Sequence, residues 1–515
     1  MVGADAPSLA EMVQLTRNSL TTSSQDDEIH ECGRPALEIL EGNPDMCIQL
    51  AYQKLHDVPY KEVKTCWRRL YTDAVLWKVL GFLEGVEDDG EVGKGVGMGR
   101  AKEGGFEDDW IAETVKSLDM ALILTAAPRR EELIELIFSA LQALVSEQEQ
   151  EQAFAHPSKR RKLTSTSRPT QAPRIPEIFP SAISSPKLYA PIPRLANLSL
   201  SAFQARISAL ETQIPIIITG AIDHWPALDE RAWNRPKYLL ERTLGGRRLV
   251  PVEIGRSYTD QGWGQKILSF GEFMGEYMGG VEEVADSRVD VESKSEDSIP
   301  LRQSAHRSQN SPSNAPNPTP KTDPPQTGYL AQHDLFAQIP SLRSDICIPD
   351  YCYTTPPPPS SFTKTNTKAV PKLEDPLLNA WFGPVGTISP LHTDPYHNIL
   401  AQVVGSKYVR LYSPEQGKSL CPRGMDEMGV DMSNTSTIDL DGFFDVFPEL
   451  SPWGGATGDG GAVGGDEERR RTFEERYPGF RAAPFVEGVL GPGDCFATGT
   501  FIELYETTSR TVMGL

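Results

Sequence analysis

The chain has 515 residues, of which 39% are apolar and eight are tryptophan, with 42 prolines, 43 glycines and a formal net charge of −21. That length exceeds what one hydrophobic core organises, so two domains joined by linkers are expected, and the charge speaks against gripping a nucleic-acid backbone, which needs a basic face. Seven cysteines without a CxxC pair suit neither a disulfide framework nor a structural zinc site; the N-terminus lacks a signal-peptide pattern, and no apolar run reaches the roughly 18 residues of a membrane span, so a soluble intracellular protein is expected.

In chain order, residues 1–150 read as a helical domain. Val63, Trp67, Leu70, Ala74 and Trp77 recur at three- and four-residue steps, the stripe of a helix with one buried face. Leu133, Leu136, Ile137, Ala140, Leu141 and Leu144 repeat the pattern behind Pro128 and two glutamates, which suit a helix N-terminus. Residues 84–105, rich in Gly and acid, read as a loop between them. No catalytic constellation stands out in this half, whose expected roles are packing or binding a partner. Residues 151–190 turn polar and rich in Pro and Ser, marking a disordered linker; its basic cluster, Lys159 to Lys162, has the form of a nuclear import signal.

After residue 190 strand signals take over, as in "IPIIITG" (214–220) and "RRLVPVEIG" (247–255). Residues 282–326 and 453–471 are expected to be disordered insertions in a third segment, 191–515. "NILAQVV" and "KYVRLYS", separated by Gly405-Ser406, predict a two-residue hairpin in which Asn398, Leu400, Gln402 and Val404 share a face with Lys407, Val409 and Leu411. Lys407 then either snorkels to water at the hairpin tip or meets an anionic ligand under cover. Just upstream, His392 and Asp394 share parity in the extended "SPLHTDP", so both side chains project to one side at a separation suited to one metal ion. Alone, such a pair is more often a surface loop. Beside Asn398 and Lys407 it matches the ligand type of non-haem Fe(II) oxygenases.

The run "NAWFGPVGTISPLHTDPYHNILAQVVGSKYVRLYSP" (379–414) resembles the core of the jumonji-C (JmjC) 2-oxoglutarate oxygenases, in particular the lysine demethylase 8 and JmjC arginyl hydroxylase branch. The resemblance extends to "PIIITGAIDHWPAL" (215–228), "VPVEIGRSYTD" (250–260), "GYLAQHDLFAQIPSLRSDICIPDYC" (328–352) and "NTSTIDL" (434–440). It implies an α+β chain: a helical N-terminal domain, then a double-stranded β-helix of jelly-roll, cupin-like JmjC type. It also implies Fe(II) bound by His392 and Asp394, and 2-oxoglutarate paired to Lys407 with help from Tyr258, Ser389 and Asn398, with Trp381 walling the pocket. The implied reaction couples decarboxylation of 2-oxoglutarate to oxidation of a C–H bond in a protein substrate, a histone or other nuclear protein, as arginyl hydroxylation or methyl-lysine demethylation. Nuclear localisation, shared with the cytoplasm, follows; no nucleic-acid or membrane partner is expected.

The chain departs from that pattern at its end. In the family a second histidine follows a Gly-Asp/Glu strand by about eleven residues. Here "LGPGDC" (490–495) opens that strand, yet none of the eight histidines follows Asp494. Counting from Gly493 lands on Leu504, flanked by Glu503 and Tyr505, and His397 adjoins Asn398 and so should point away from the pocket. So abrupt a loss of resemblance is what a frameshift, a retained intron or a misread last exon produces. The other readings are an inactive JmjC pseudoenzyme acting as a protein-binding module, and a sugar- or metal-binding cupin, which the dicarboxylate-type set Ser389, Asn398 and Lys407 disfavours.

Overall fold

The structure is a computed structural model that describes residues 7–22, 24–91, 109–155, 175–179, 186–209, 215–260, 262–279, 327–355, 373–426, 429–453, 463–498, 503–508 and 512–514. The basic cluster 159–162 and the segment 282–326 lie outside them.

Six helices come first: α1 (Leu9–Thr21), α2 (Arg34–Ile39), α3 (Pro44–His56), α4 (Thr65–Glu91), α5 (Asp109–Thr125) and α6 (Glu131–Ala155). Ser8 starts α1 with a reciprocal capping box to Glu11, satisfying two otherwise orphaned N–H groups. Leu70, Ala74, Val75 and Val79 of α4 pack with Ile111, Val115 and Leu118 of α5 and Ile134, Ile137 and Leu141 of α6 in one buried cluster. Of the loop expected over 84–105, residues 84–91 are helical, because α4 continues to Glu91, and residues 92–105 lie outside the described ones.

The remaining elements are β1 (Arg194–Ala196), α7 (Leu200–Ser208), β2 (Ile216–Thr219), α8 (Pro236–Arg242), β3 (Leu249–Ile254), β4 (Gly264–Ser269), α9 (Phe270–Tyr277), β5 (Gly328–His333), α10 (Leu335–Gln338), α11 (Pro340–Arg343), β6 (Ala380–Gly383), β7 (Ile388–His392), β8 (Asn398–Val404), β9 (Lys407–Tyr412), α12 (Leu440–Val446), α13 (Val463–Arg476), β10 (Phe485–Leu490), β11 (Asp494–Thr498), β12 (Glu503–Thr508) and β13 (Val512–Gly514). They build two facing sheets, one ordered β1-β2-β11-β8-β13-β6-β5-β3-β4 and one ordered β10-β9-β12-β7. This is the jelly-roll plan, in which each sheet has an inner and an outer layer. Ile217, Leu400 and Phe496 of the large sheet meet Val409, Leu411 and Leu490 of the small one in the interior. The outer face of the large sheet packs on α8, α9, α10 and α11, and that of the small sheet on α12 and α13. At Gly488 of β10 the sheets approach so closely that a Cβ would sit 2.9 Å from Ile217 Cδ1.

Two expectations need correction. The strands β8 and β9 form no hairpin: β8 pairs with β11 and β13, β9 with β10 and β12, and they lie in opposite sheets. Gly405, with φ +71°, turns the chain through the corner between sheets. Every residue of β9 is buried, so each strand must be covered on both faces and laddered on both edges, which a lone two-strand ribbon cannot supply. The facing of Asn398, Leu400 and Gln402 towards Lys407, Val409 and Leu411 therefore arises across the roll and not across a ladder, and Val404 packs on the outer cluster. The second correction is within 453–471: residues from Val463 onward are helical, with Phe473 anchoring α13 against Phe443 of α12 and Phe447, which caps α12. Residues 454–462 lie outside the described ones.

Candidate metal and cosubstrate site

The last residue of β7 is His392, and the stretch Asn434–Ser436 flanks the end of that strand: Thr435 bridges to His392, Thr393 N donates to Asn434 O at 2.8 Å, and Ser436 N donates to Leu391 O at 2.8 Å. His392 Nδ1 lies 2.7 Å from the Pro390 carbonyl. A carbonyl only accepts, so Nδ1 carries the proton and Nε2 presents its lone pair. That Nε2 is 3.6 Å from Asp394 Oδ1, within the roughly 4 Å that two bonds of about 2.1 Å can bridge. The second carboxylate oxygen accepts from Asn398 Nδ2 at 2.5 Å, so the amide orients Asp394.

Lys407 opens β9 and is 1% exposed. It shares parity with Val409 and Leu411, which point into the roll, and its Nζ stands 6.0 Å from the ring of Trp381 on β6 in the opposite sheet. Gln402 of β8 is fully buried; its Nε2 donates to Val404 O at 2.7 Å, while Oε1 has no partner among the described residues. Tyr258 follows β3, and its hydroxyl is 3.4 Å from Thr435 Oγ1. Burial pushes the Tyr258 phenol above its usual range, and the Asp394 and Glu253 carboxylates add to that. Ser389 sits half-buried on β7, paired in the ladder with Glu506 of β12. The structure thus groups His392, Asp394 and Asn398 directly, sets Tyr258 close enough to feel Asp394, and brings Lys407 to Trp381, while Ser389 lies on the same strand as His392.

Glu253 was not singled out by the sequence. Its neighbours Val252 and Ile254 pack on the outer core, so Glu253 takes the other face of β3, where Trp263 Nε1 lies 3.4 Å from Oε2. Burial raises its carboxyl, and the Trp263 donation offsets part of that rise. The available signal was a carboxylate alternating with valine and isoleucine in a strand covered on both sides.

As a home for Fe(II), the donor set fits at two positions: a neutral imidazole nitrogen and an oriented carboxylate oxygen on one side of the pocket. Among the described residues, no group of three His, Cys, Asp or Glu side chains comes together, so His397 joins no such group. The register makes the reason concrete, since Leu504 of β12 is the direct cross-strand partner of His392.

The profile of the Cupin-like domain matches residues 202–497. Lysine-specific demethylase 8 of Danio rerio is 31% identical over 454 residues, spanning 87% of this chain and 79% of that protein. Lysine-specific demethylase 8 of Xenopus tropicalis is 27% identical across 96% of this chain and 92% of its own length, and lysine-specific demethylase JMJ30 of Arabidopsis thaliana is 36% identical across 44% and 38%. With the roll, the His392–Asp394 pair and these likenesses together, the chain belongs to the JmjC family of 2-oxoglutarate-dependent oxygenases, in the lysine demethylase 8 branch.

Proposed function

We propose that the chain is an Fe(II)- and 2-oxoglutarate-dependent oxygenase that oxidises a cationic side chain of a protein, arginine or methylated lysine. The observation that carries this reading is the burial of Lys407 in the interior of a roll whose rim holds His392 and Asp394 on one side. The distal carboxylate of 2-oxoglutarate, brought to that ammonium, would make a charge-assisted contact in a low-dielectric interior. Fe(II), held by His392 Nε2 and Asp394 Oδ1, would supply O₂ activation coupled to cosubstrate decarboxylation. Asn398 keeps Asp394 Oδ1 turned towards His392. Trp381 and Tyr258 wall the pocket, and Glu253, half-buried near Tyr258, offers a carboxylate to a guanidinium or ammonium. Names of the relatives point to lysine, whereas the chemistry of Glu253 suits both cations. The Lys159–Lys162 cluster supports a nuclear setting, where histones and other basic proteins are available to a chain of net charge −21.

A second reading, a protein-binding module with a vestigial metal site, is favoured by one observation: Leu504 stands opposite His392. The test is to incubate the full chain with Fe(II), ascorbate, O₂ and 2-oxoglutarate plus basic peptides carrying arginine or methyl-lysine, following succinate and peptide mass. Gain of one oxygen atom identifies hydroxylation, and loss of a methyl group identifies demethylation. Peptide binding without succinate supports the module and overturns the oxygenase.

A further inference from the structure

Asp119, on α5 of the helical region, is fully buried and accepts hydrogen bonds entirely from the roll. Arg248 donates to it from Nη2 at 2.7 Å and from Nε at 2.9 Å, Gln338 donates from Nε2 at 2.8 Å, and the backbone N–H of Leu249 donates at 2.7 Å. Gln338 Nε2 is also 2.7 Å from the Leu249 carbonyl, and its Oε1 lies 2.6 Å from His333 Nε2. The Arg248 guanidinium lies 3.6 Å over the ring of Phe138 on α6. Both backbone polar groups of Leu249, the first residue of β3, are therefore held by side chains.

This matters because of how β3 is laddered. On its β4 edge it pairs from Leu249 to Ile254, but on its β5 edge only Glu253 and Ile254 find strand partners. At the open end of that edge Asp119 and Gln338 stand where a strand would be. At the other end β3 runs into the site: Gly255 N donates to Thr327 O at 2.8 Å, the Arg256 carbonyl accepts from Ile388 N of β7 at 3.3 Å, and Tyr258 follows. Glu253 lies between.

We propose that Asp119 is a positioning residue for the site: by holding Leu249 it fixes β3 along its length, and through β3 it sets Glu253, Tyr258 and the start of β7. The helical region then acts on the chemistry of the roll through one carboxylate. The consequence for cosubstrate binding rests on the proposed function, whereas the consequence for β3 does not.

Two double variants of the full chain isolate the bond. Asp119→Asn with Arg248→Met removes the buried ion pair but keeps an acceptor for Leu249 N, and Asp119→Leu with Arg248→Met removes both; neither leaves an unpaired buried charge. Amide exchange is read at Ile254, Gly255 and Ile388, with α4 amides as the control for global opening. The Asn/Met chain should exchange there like the parent. The Leu/Met chain should exchange about tenfold faster at those amides with α4 unchanged, and should bind an unreactive 2-oxoglutarate analogue about tenfold more weakly, as expected for one lost buried hydrogen bond. Should Leu/Met not fold, Asp119→Thr with Arg248→Met, whose hydroxyl is too short to reach Leu249, is read the same way. Equal exchange in the two double variants, or acceleration spread equally over α4, overturns the proposal. Failure of the parent to bind the analogue overturns the proposed function, while the exchange result still decides this one.

Discussion

The helical region and the pocket of the roll both bury polar groups, and they complete them differently. In the helices Arg69, fully buried, donates to Asp27 from Nε at 3.1 Å and Nη2 at 2.9 Å and to Asp73 from Nη1 at 2.7 Å and Nη2 at 3.1 Å, and Arg130 closes on the same Asp73 at 2.8 and 3.1 Å. Two cations meet two carboxylates, and the set has no use for a ligand. In that pocket, among the described residues, Gln402 Oε1 has no partner and the Tyr258 hydroxyl has only a long bond to Thr435, while His392 presents a lone pair towards Asp394. Closed networks hold a fold, and open ones leave capacity for a ligand.

That contrast can be broken. Replacing Arg69 with Leu strips buried Asp27 of the cation that faces it and leaves Asp73 to Arg130 alone, and loss of one partner from a buried ionic network costs about 3–5 kcal/mol. Denaturant unfolding of the full chain should show that loss, with cosubstrate affinity unchanged under conditions where the chain is folded. Lys407→Ala should do the reverse: 2-oxoglutarate affinity, measured by calorimetry, should fall by about 1.5–3 kcal/mol, the range of a charge-assisted bond. If Lys407→Ala instead melts the roll while leaving affinity intact, the lysine is structural and the contrast fails.

The smallest effect sharpens the contrast through pH. Burial raises the Glu253 carboxyl above its ordinary 4.5, so the folded chain favours the protonated form. Its contribution is complete below pH 4.5 and is lost as pH rises through the raised folded value. Glu253→Gln should therefore be the more stable chain at neutral pH, with the difference closing on acidification below 4.5; thermal melts across that range measure it.

Much of this was legible in the sequence where the signal is local. The stripe through Leu70 and Ala74 marks α4, and the shared parity of His392 and Asp394 places two donors on one side of the chain. The Gly405-Ser406 link shows where a local signal stops, because two residues serve a hairpin and a corner between sheets equally, and only pairing with β11 and β13 decides. Helix α13 is hidden because most of its residues are charged and one anchor, Phe473, holds it. Asp119 could not be found at all, since its partner Arg248 is 129 residues away and a lone aspartate in a helix reads as solvated.

The central claim is that the pocket is an iron and 2-oxoglutarate site in which Leu504 stands where a third protein ligand would complete the metal's grip. The direct measurement compares the parent with Leu504→His, titrating each anaerobically with Fe(II) or with Co(II) as a spectroscopic stand-in, and then following succinate after O₂ is admitted. Directly opposed residues in an antiparallel pair have Cβ atoms about 4.5–5.5 Å apart, so an imidazole at 504 would come within reach of an ion that His392 and Asp394 would hold. The account expects at least about tenfold tighter metal binding and a matching gain in succinate for Leu504→His, on the scale of one ligand's contribution. Equal metal affinity and equal turnover in the two chains would contradict it.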